Sequence, residues 1–154
     1  MSEHRVRIEN KKDNLVLRSA VLDDAEILTN WWNDGSVMAH AGFPKGLSQS
    51  IEQTKKQIRN NDIKLSQLCI IESEGKRIGE ASFGIGQGYA EIGIKLCEAE
   101  YQNRGLGTKL LQMLIDFLFE DASINDKVYI ERIILDTNLK NVRAQHVYEK
   151  IGFT

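Results

Sequence analysis

The sequence predicts an α/β domain in which helices pack against one sheet. Short runs of alternating apolar and polar residues, typical of strands, are interspersed with longer runs of helical periodicity. A glycine turn at Gly105 and Gly107 joins one of these strands to a strongly amphipathic helix. The 154 residues, 42% of them hydrophobic, suit one domain that buries about two-thirds of its unfolded surface. No repeat or linker divides the sequence, so residues 1–154 are expected to form a single domain.

Five strands and four helices are predicted, in the order β-α-α-β-β-β-α-β-α. Apolar alternation or β-branched runs place the strands at residues 15–20, 67–72, 77–83, 89–97 and 129–135. The 3.6-residue periodicity places the helices at residues 23–33, 51–60, 108–119 and 141–150. Residues 1–14 are polar and are expected to be partly flexible.

Local signals set the ends of several elements. Asp23 and Asp24 can cap the first helix, and Ser48 or Ser50 can cap the second. The Ser-Glu-Gly-Lys stretch at residues 73–76 is typical of a hairpin turn between two strands. The predicted sheet therefore contains at least one antiparallel hairpin.

Composition disfavours several classes of function. The formal net charge of −2 gives no support for a binder of nucleic acid or membrane surfaces, which is usually basic. Cys69 and Cys97 match no metal spacing and are expected to be reduced, buried thiols. His4, His40 and His146 form no convincing metal-binding pattern, so no metal is expected. The chain has no signal peptide and no apolar run of about 20 residues, so we expect it in the cytoplasm.

The glycine turn predicts a phosphate site. Gly105 and Gly107 let the backbone approach a ligand closely, and the first amides of the following helix point at it. On its own the turn is weak evidence for a phosphate site, since a tight turn that starts a helix without binding a ligand is as common. It does not match a Walker A loop, because Lys109 stands in the wrong frame, or a dinucleotide fingerprint, because Leu110 replaces the third glycine. Nucleotide hydrolysis and dinucleotide redox chemistry are poor fits.

A second block of residues narrows the ligand. The turn fits the pattern Gln/Arg-x-x-Gly-x-Gly/Ala. The downstream block fits the pattern Asn-x-x-Ala-x-x-x-Tyr-x-x-x-Gly-Phe. The matching residues are Gln102, Gly105, Gly107, Asn141, Ala144, Tyr148, Gly152 and Phe153. Together the two blocks resemble the GCN5-related N-acetyltransferases (GNAT family), which use acetyl-CoA. Leu28, Trp31, Trp32 and Asp34 are similar to the branch containing ribosomal-protein N-terminal and aminoglycoside acetyltransferases.

The resemblance implies a fold as well as a ligand. It implies a mixed, mostly antiparallel sheet with about four helices, in which the family's fourth and fifth strands splay apart. The family usually has one more strand after the Gly-Phe pair, whereas this sequence stops at Thr154. We therefore expect a domain truncated at its C-terminus relative to the family, which leaves a sheet edge unpaired.

The resemblance also implies how acetyl-CoA is held. Backbone amides of the turn would hold the pyrophosphate, and pantetheine would pair with the edge of the splayed strand. The implied residues are Ile94, Lys95, Leu96, Gln102, Asn103, Arg104, Gly105, Leu106, Gly107, Thr108 and Asn141. Arg104 either adds a charge beside a phosphate or is simply solvated. Asn141 also suits the N-cap of its helix.

Candidates for the general acid and the general base of acetyl transfer can also be named. The resemblance makes Tyr148 the general acid that protonates the departing thiolate, in place of an ordinary packed aromatic residue. For the general base, the sequence offers Glu91 first, then Asp136, and also Glu80, each on a predicted strand near the splay. Each of these carboxylates could instead bind a cationic acceptor or stabilise the fold. Direct transfer in a ternary complex is preferred, since no covalent enzyme intermediate is needed and no nearby histidine is evident in sequence to activate Cys97 as an acyl carrier.

The acceptor is left open. A primary amine is expected, on a protein N-terminus, an aminoglycoside, a polyamine or another metabolite, with the loop at residues 33–47 and Phe43 on the acceptor side. The alternative is a non-catalytic module that senses acyl-CoA, and a third hypothesis is a nucleotide-binding protein. A homodimer is common in the family, but the missing strand weakens that inference here.

Overall fold

The computed structural model describes residues 6–39, 42–60, 66–85, 88–102, 105–120 and 130–135. The chain divides into two compact units. The first, here called the sheet unit, contains Met1–Ser19 and Asp62–Asp136, and the second contains Ala20–Asn61 and Thr137–Thr154. The predicted helix at residues 141–150 lies outside the described residues.

The sheet unit holds six described strands, whose order in the sheet is their order in the chain. The strands are β1 (Arg7–Asn10), β2 (Leu15–Ser19), β3 (Ser66–Ser73), β4 (Lys76–Ile85), β5 (Gly88–Leu96) and β6 (Ile130–Leu135). Neighbours from β1 to β5 are antiparallel, whereas β5 and β6 are parallel. This confirms the predicted mixed, mostly antiparallel α/β fold and all five predicted strands.

Strand β1 was not predicted, because no element was expected before residue 15. It pairs with β2 from Arg7↔Arg18 to Asn10↔Leu15. Its side chains alternate between exposed and half-buried, so it lacks the apolar face from which a strand can be recognised. By contrast, β2 buries Leu15, Leu17 and Ser19 and could be predicted.

The turn between β3 and β4 is the predicted hairpin. Glu74 and Gly75 have φ angles of 51° and 81°, both in the left-handed region. Two successive left-handed residues match the right-handed twist of the flanking strands. The two strands are then paired from Ser73↔Lys76 to Ser66↔Gly84.

One long helix covers one face of the sheet. Helix α4 (Leu106–Glu120) contacts β1, β5 and β6, and its most deeply buried residues recur at helical spacing. These residues are Leu110, Leu111, Leu114 and Leu118. On the same face the ring of Phe117 lies 6.3 Å from that of Phe83 on β4.

In the described part of the chain, β6 pairs with only the first part of β5. The pairs run from Gly88↔Ile130 to Ile92↔Leu135, where β6 ends, whereas β5 continues to Leu96. Among the described residues, Gly93–Leu96 therefore pairs with β4 alone. The predicted splay stays a prediction, because the residues that follow Leu135 lie outside the described part of the chain.

The second unit is helical where it is described. A 3-10 turn (Leu22–Asp24) leads into α1 (Ala25–Asn33), which is followed by α2 (Gly35–Met38) and α3 (Ile51–Arg59). Ser50, rather than Ser48, caps α3, in a capping box with Gln53. The short helix α2 was predicted as loop, since four residues are too few to show a period.

Helix α1 is held to its neighbours by buried and polar contacts. Trp31 and Trp32 are both buried, as expected of core residues. Thr29 donates a 2.7 Å hydrogen bond to the Thr54 hydroxyl on α3. At the end of α1, the Asn33 side chain donates to the carbonyl of Gln49 and accepts from its amide, at 2.8 and 2.6 Å. No helix in the described part of the chain is long and apolar enough to cross a bilayer.

Candidate functional site

The glycine turn has the backbone geometry of a ligand-binding loop. Gly105 has a φ angle of 76°, a conformation that other residues adopt only under strain. A Cβ atom built on Gly105 meets no described heavy atom within 4 Å. The left-handed conformation therefore leaves open space on the side of Gly105 where a side chain would stand.

The first turn of α4 presents amide donors that no bond within the helix uses. The amide of Lys109 donates to the carbonyl of Gly105, at 3.4 Å, and begins the helical bonding. The amides of Leu106, Gly107 and Thr108 precede it and have no partner within the helix. In a helix of 15 residues these amides also carry the positive end of the helix dipole. An anionic group fits this position.

The end of β5 presents a second row of backbone groups. Cys97 donates to the carbonyl of Ile78 at 2.8 Å, so it occupies a hydrogen-bonded position against β4. Because such positions alternate along an antiparallel pair, the amides and carbonyls of Ile94 and Leu96 face the opposite edge, and those of Lys95 face β4. Among the described residues, the pairs with β6 reach only as far as Ile92. An extended ligand can add to the edge as a further strand would.

A short, tightly bonded turn connects the edge to the glycine loop. The Glu98 amide joins that of Cys97 on the Ile78 carbonyl, and a 3-10 turn (Ala99–Tyr101) follows. The Gln102 amide donates to Ala99 O at 3.1 Å, and the Gln102 side chain returns to Leu96 O at 2.9 Å. Because the Gln102 amide is engaged, the described donors left for a ligand begin at Gly105.

The two described candidate bases lie on the face of the sheet opposite α4. Glu91, Gly93 and Lys95 alternate with the residues of β5 that face the helix. Glu80 of β4 pairs directly with Lys95 in the register. Glu91 is exposed and Glu80 is half-buried. The structure thus places both carboxylates on one face, on neighbouring strands.

Cys97 is unsuited to carry an acyl group. Its thiol is buried, and burial is the main cause that raises its pKa far above the ordinary value. The neighbouring Glu80 carboxylate raises it further. The reactive thiolate is therefore scarce at neutral pH, which agrees with the preference for direct transfer.

Several predicted site residues are not described. Asn103, Arg104, Asp136, Asn141 and Tyr148 lie outside the described residues, so their proposed roles stay predictions. Within the described part of the chain, no group of three His, Cys, Asp or Glu residues is arranged to hold a metal ion. The contact of Gln102 with Leu96 was not predicted, since it depends on how the intervening turn folds.

Comparison with known families decides the class. The family described as "Acetyltransferase (GNAT) domain" matches residues 14–154. The chain belongs to the GNAT family of acetyltransferases. Membership confirms the predicted enzyme class, N-acetyltransferase, and its donor, acetyl-CoA. The glycine loop and the edge of β5 that pairs with no other described strand beyond Ile92 fit that donor, which carries both a pyrophosphate and an extended pantetheine chain.

Relatives lie in the predicted branch. The chain is 26% identical over 160 residues to an aminoglycoside N(6')-acetyltransferase type 1 of Klebsiella pneumoniae, covering 95% of this chain and 77% of the relative. A kanamycin resistance protein of Rhizobium radiobacter is 36% identical over 66 residues, covering 43% of this chain and 56% of that protein.

Solved GNAT structures share the fold. A spermidine N-acetyltransferase from Vibrio cholerae, in complex with CoA and spermine, has a TM-score of 0.76 at 22% identity, with 92% of this chain and 81% of that one covered. An aminoglycoside acetyltransferase AAC(6')-Ib in complex with coenzyme A has a TM-score of 0.71 at 24% identity, covering 91% and 84%. RimL, a ribosomal L7/L12 α-N-protein acetyltransferase in complex with coenzyme A, has a TM-score of 0.76 at 18% identity, covering 97% and 84%.

Proposed function

We propose that this GNAT enzyme transfers the acetyl group of acetyl-CoA directly to a primary amine within a ternary complex. The observation that carries the proposal is that the sheet unit contains two features suited to bind a ligand. The glycine loop offers amide donors at the start of α4, and the edge of β5 beyond Ile92 offers strand-like backbone groups. A ligand with an anionic and an extended part can use both.

The glycine loop holds the pyrophosphate in this proposal. The amides of Gly105, Leu106, Gly107 and Thr108 supply donors, and the helix dipole adds to the attraction. Asn103, Arg104 and Asn141 complete the site by resemblance to the family. The space beside Gly105 that lacks a Cβ atom is where the phosphate oxygens approach the backbone most closely.

The splayed edge holds the pantetheine chain. Ile94 and Leu96 supply the backbone groups that face this edge, and Lys95 holds the strand against β4 from between them. Pairing along the edge places the acyl end of the donor beside the sheet, on a rigid element. Bound acetyl-CoA supplies an acetyl group activated as a thioester.

Proton transfer is assigned to side chains of the enzyme. Glu91 is the proposed base that removes a proton from the ammonium group of the acceptor, and Glu80 and Asp136 are the alternatives. Tyr148 is the proposed acid that delivers a proton to the leaving sulfur. A phenol with a pKa of about 10 is protonated at neutral pH and can donate to a thiolate whose conjugate acid has a pKa of about 8.5.

The acceptor is proposed from relatives of known substrate class. Their names give aminoglycosides, spermidine and a ribosomal protein N-terminus, all of which present a primary amine. The loop of the second unit at residues 33–47, with the exposed Phe43, is proposed to choose among such amines. We propose a cytoplasmic location, where both buried thiols stay reduced, and leave a homodimer as a further proposal.

A thiol-release assay tests the function. The enzyme is mixed with acetyl-CoA and, in turn, an aminoglycoside, spermidine and a peptide with a free N-terminus, and free thiol is followed. We expect one of these amines to raise thiol release well above hydrolysis and to yield an acetylated product by mass spectrometry. Acetyl-CoA binding with no acetylated amine from any class would support the sensor hypothesis instead.

A Tyr148→Phe variant tests the proton donor in the same assay. We expect kcat to fall by about 10² or more, the usual size of a general-acid contribution, with little change in acetyl-CoA affinity. An unchanged kcat would refute the role of Tyr148 while leaving the transfer reaction in place.

A further inference from the structure

The side chain of Gln102 joins the two halves of the donor site. Its Nε2 donates to the backbone carbonyl of Leu96, with the two atoms 2.9 Å apart. Leu96 is the last residue of β5, and Gln102 is three residues before Gly105. One side-chain hydrogen bond therefore closes the turn between the strand edge and the glycine loop.

The rest of this turn is anchored elsewhere. At its start, the amides of Cys97 and Glu98 share the carbonyl of Ile78 on β4. At its middle, Glu100 Oε1 lies 2.7 Å from Nζ of Lys76, and that Nζ also lies 5.5 Å from the centre of the Tyr101 ring. Both anchors run back to β4. Gln102 is the side chain that ties the exit of the turn to the edge of β5 that faces away from β4.

The carbonyl that Gln102 binds belongs to that edge. The alternation along β5 directs the Leu96 carbonyl away from β4, towards the side on which β6 pairs with Gly88–Ile92. A carbonyl in that position would otherwise be an acceptor for an added strand or an extended ligand. The Gln102 amide group satisfies it from within the chain.

We propose that Gln102 is a positioning residue that fixes the spacing and orientation of the glycine loop relative to the pantetheine-binding edge. By donating to the Leu96 carbonyl, it also leaves the Ile94 carbonyl as the next acceptor along that edge of β5 among the described residues. This inference rests on the proposed function, because it assigns the two halves of one ligand to the two features that Gln102 connects.

The proposal predicts a loss of coupling rather than a loss of either half-site. If Gln102 aligns two sites, removing its donor weakens a ligand that spans both but spares a ligand that uses the loop alone. Coenzyme A is the spanning probe, and adenosine 3′-phosphate 5′-diphosphate, which keeps the pyrophosphate but lacks pantetheine, is the loop probe. The measured quantity is the ratio of their Kd values.

The test variant is Gln102→Met, which keeps the length of the side chain but cannot donate. We expect its Kd for coenzyme A to rise about 3- to 10-fold, as the loss of one hydrogen bond implies, and its Kd for the loop probe to change by less than twofold. Its KM for acetyl-CoA rises in step, with kcat at saturation changed by less than twofold. Gln112→Met, on the exposed face of α4, is the matched control and leaves both Kd values unchanged.

A Gln102→Arg variant provides the rescue. Arginine keeps N–H donors at this position, so we expect the ratio of the two Kd values to return to within about twofold of the wild-type ratio, even if the added charge tightens both. If Gln102→Met lost affinity for both probes equally, or lost affinity for neither, the positioning role would be overturned. If the wild-type enzyme bound neither probe, the proposed function itself would fail; if it bound both and the ratio stayed constant, only this inference would.

Discussion

Nζ of Lys109 in α4 lies 2.8 Å from Oδ1 of Asp13 in the turn between β1 and β2. The ion pair ties the start of the helix behind the glycine loop to the N-terminal hairpin of the sheet. Lys109, the lysine that follows the loop, is therefore paired with the carboxylate of Asp13. That geometry agrees with the exclusion of a Walker A loop, whose lysine must reach the phosphates.

This ion pair predicts an acid-sensitive contribution to stability. The hydrogen bond from Lys109 is the main cause that lowers the pKa of Asp13 below its ordinary value. A lowered pKa in the folded state adds stability above the unfolded pKa, and this stability is lost as the pH falls through the folded pKa. We expect the melting temperature of Asp13→Asn to fall less steeply than that of the wild type below about pH 4.

Lys109→Met should also make the melting temperature fall less steeply below about pH 4. The effect of the double variant should be little larger than that of either single variant. Some acid sensitivity remains in all three, because hydrogen bonds from Ser36 also lower the pKa of Asp34. Curves that run parallel to the wild-type curve in both single variants would show that the pair adds nothing.

The loop of the second unit predicts unequal effects of two glycine substitutions. Gly46 and Gly75 have nearly equal φ angles, 78° and 81°. A Cβ on Gly46 would collide with the carbonyl of Asn33, whereas a Cβ on Gly75 meets no described atom within 4 Å. We expect Gly75→Ala to lower the free energy of unfolding by about 1–2 kcal/mol, the left-handed cost alone, and Gly46→Ala to lower it clearly further.

Urea unfolding of the two variants measures this difference. Equal losses would mean that the loop moves away from Asn33 at no cost and that its close packing does not stabilise the unit.

The two cysteines are predicted to resist modification in the folded enzyme. Burial raises the pKa of the Cys69 thiol to about 12 and that of Cys97 further still. A thiol-reactive reagent at neutral pH should therefore label neither residue until the protein is unfolded, and should then label both. Rapid labelling of Cys97 in the native enzyme, mapped by mass spectrometry, would reopen its role as an acyl carrier.

The candidate bases can be separated by paired substitutions. Glu91→Gln and Glu80→Gln change matched carboxylates on the same face of neighbouring strands. If Glu91 is the base, its variant should lose about 10² or more in kcat/KM for the acceptor while acetyl-CoA affinity is kept, and Glu80→Gln should lose far less. The reverse order would assign the base to Glu80, and two small losses would direct attention to Asp136.

Local pattern was enough for most of the fold. The leucines of α4 recur at helical spacing and are all buried, and the glutamate and glycine of the β3–β4 turn identify its hairpin. Strand β1 could not be predicted in this way, because it has no buried face and owes its form to pairing with β2. The four residues of α2 are likewise fixed by their neighbours rather than by a period of their own.

In the candidate site, too, some features could be predicted from local sequence and others could not. Gly105 and Gly107 could be assigned from sequence because glycine itself signals close approach of the backbone. Which face Glu80 and Glu91 share depends on strand register, and the bond from Gln102 to Leu96 depends on a 3-10 turn. The first is set by pairing across the sheet and the second by how the turn folds, and neither can be read from the residues one at a time.

Binding of acetyl-CoA to Gly105→Ala, compared with Gly75→Ala, tests whether the glycine loop holds the pyrophosphate of the donor. Both glycines are left-handed, with φ angles of 76° and 81°, and a Cβ on either meets no described atom within 4 Å. The two substitutions should therefore destabilise the protein equally. By titration calorimetry we expect Gly105→Ala to raise the Kd for acetyl-CoA at least about 10-fold, since its methyl group fills the space given to the pyrophosphate, and Gly75→Ala to leave it unchanged. Wild-type affinity in Gly105→Ala would contradict the assignment of the glycine loop as the donor site.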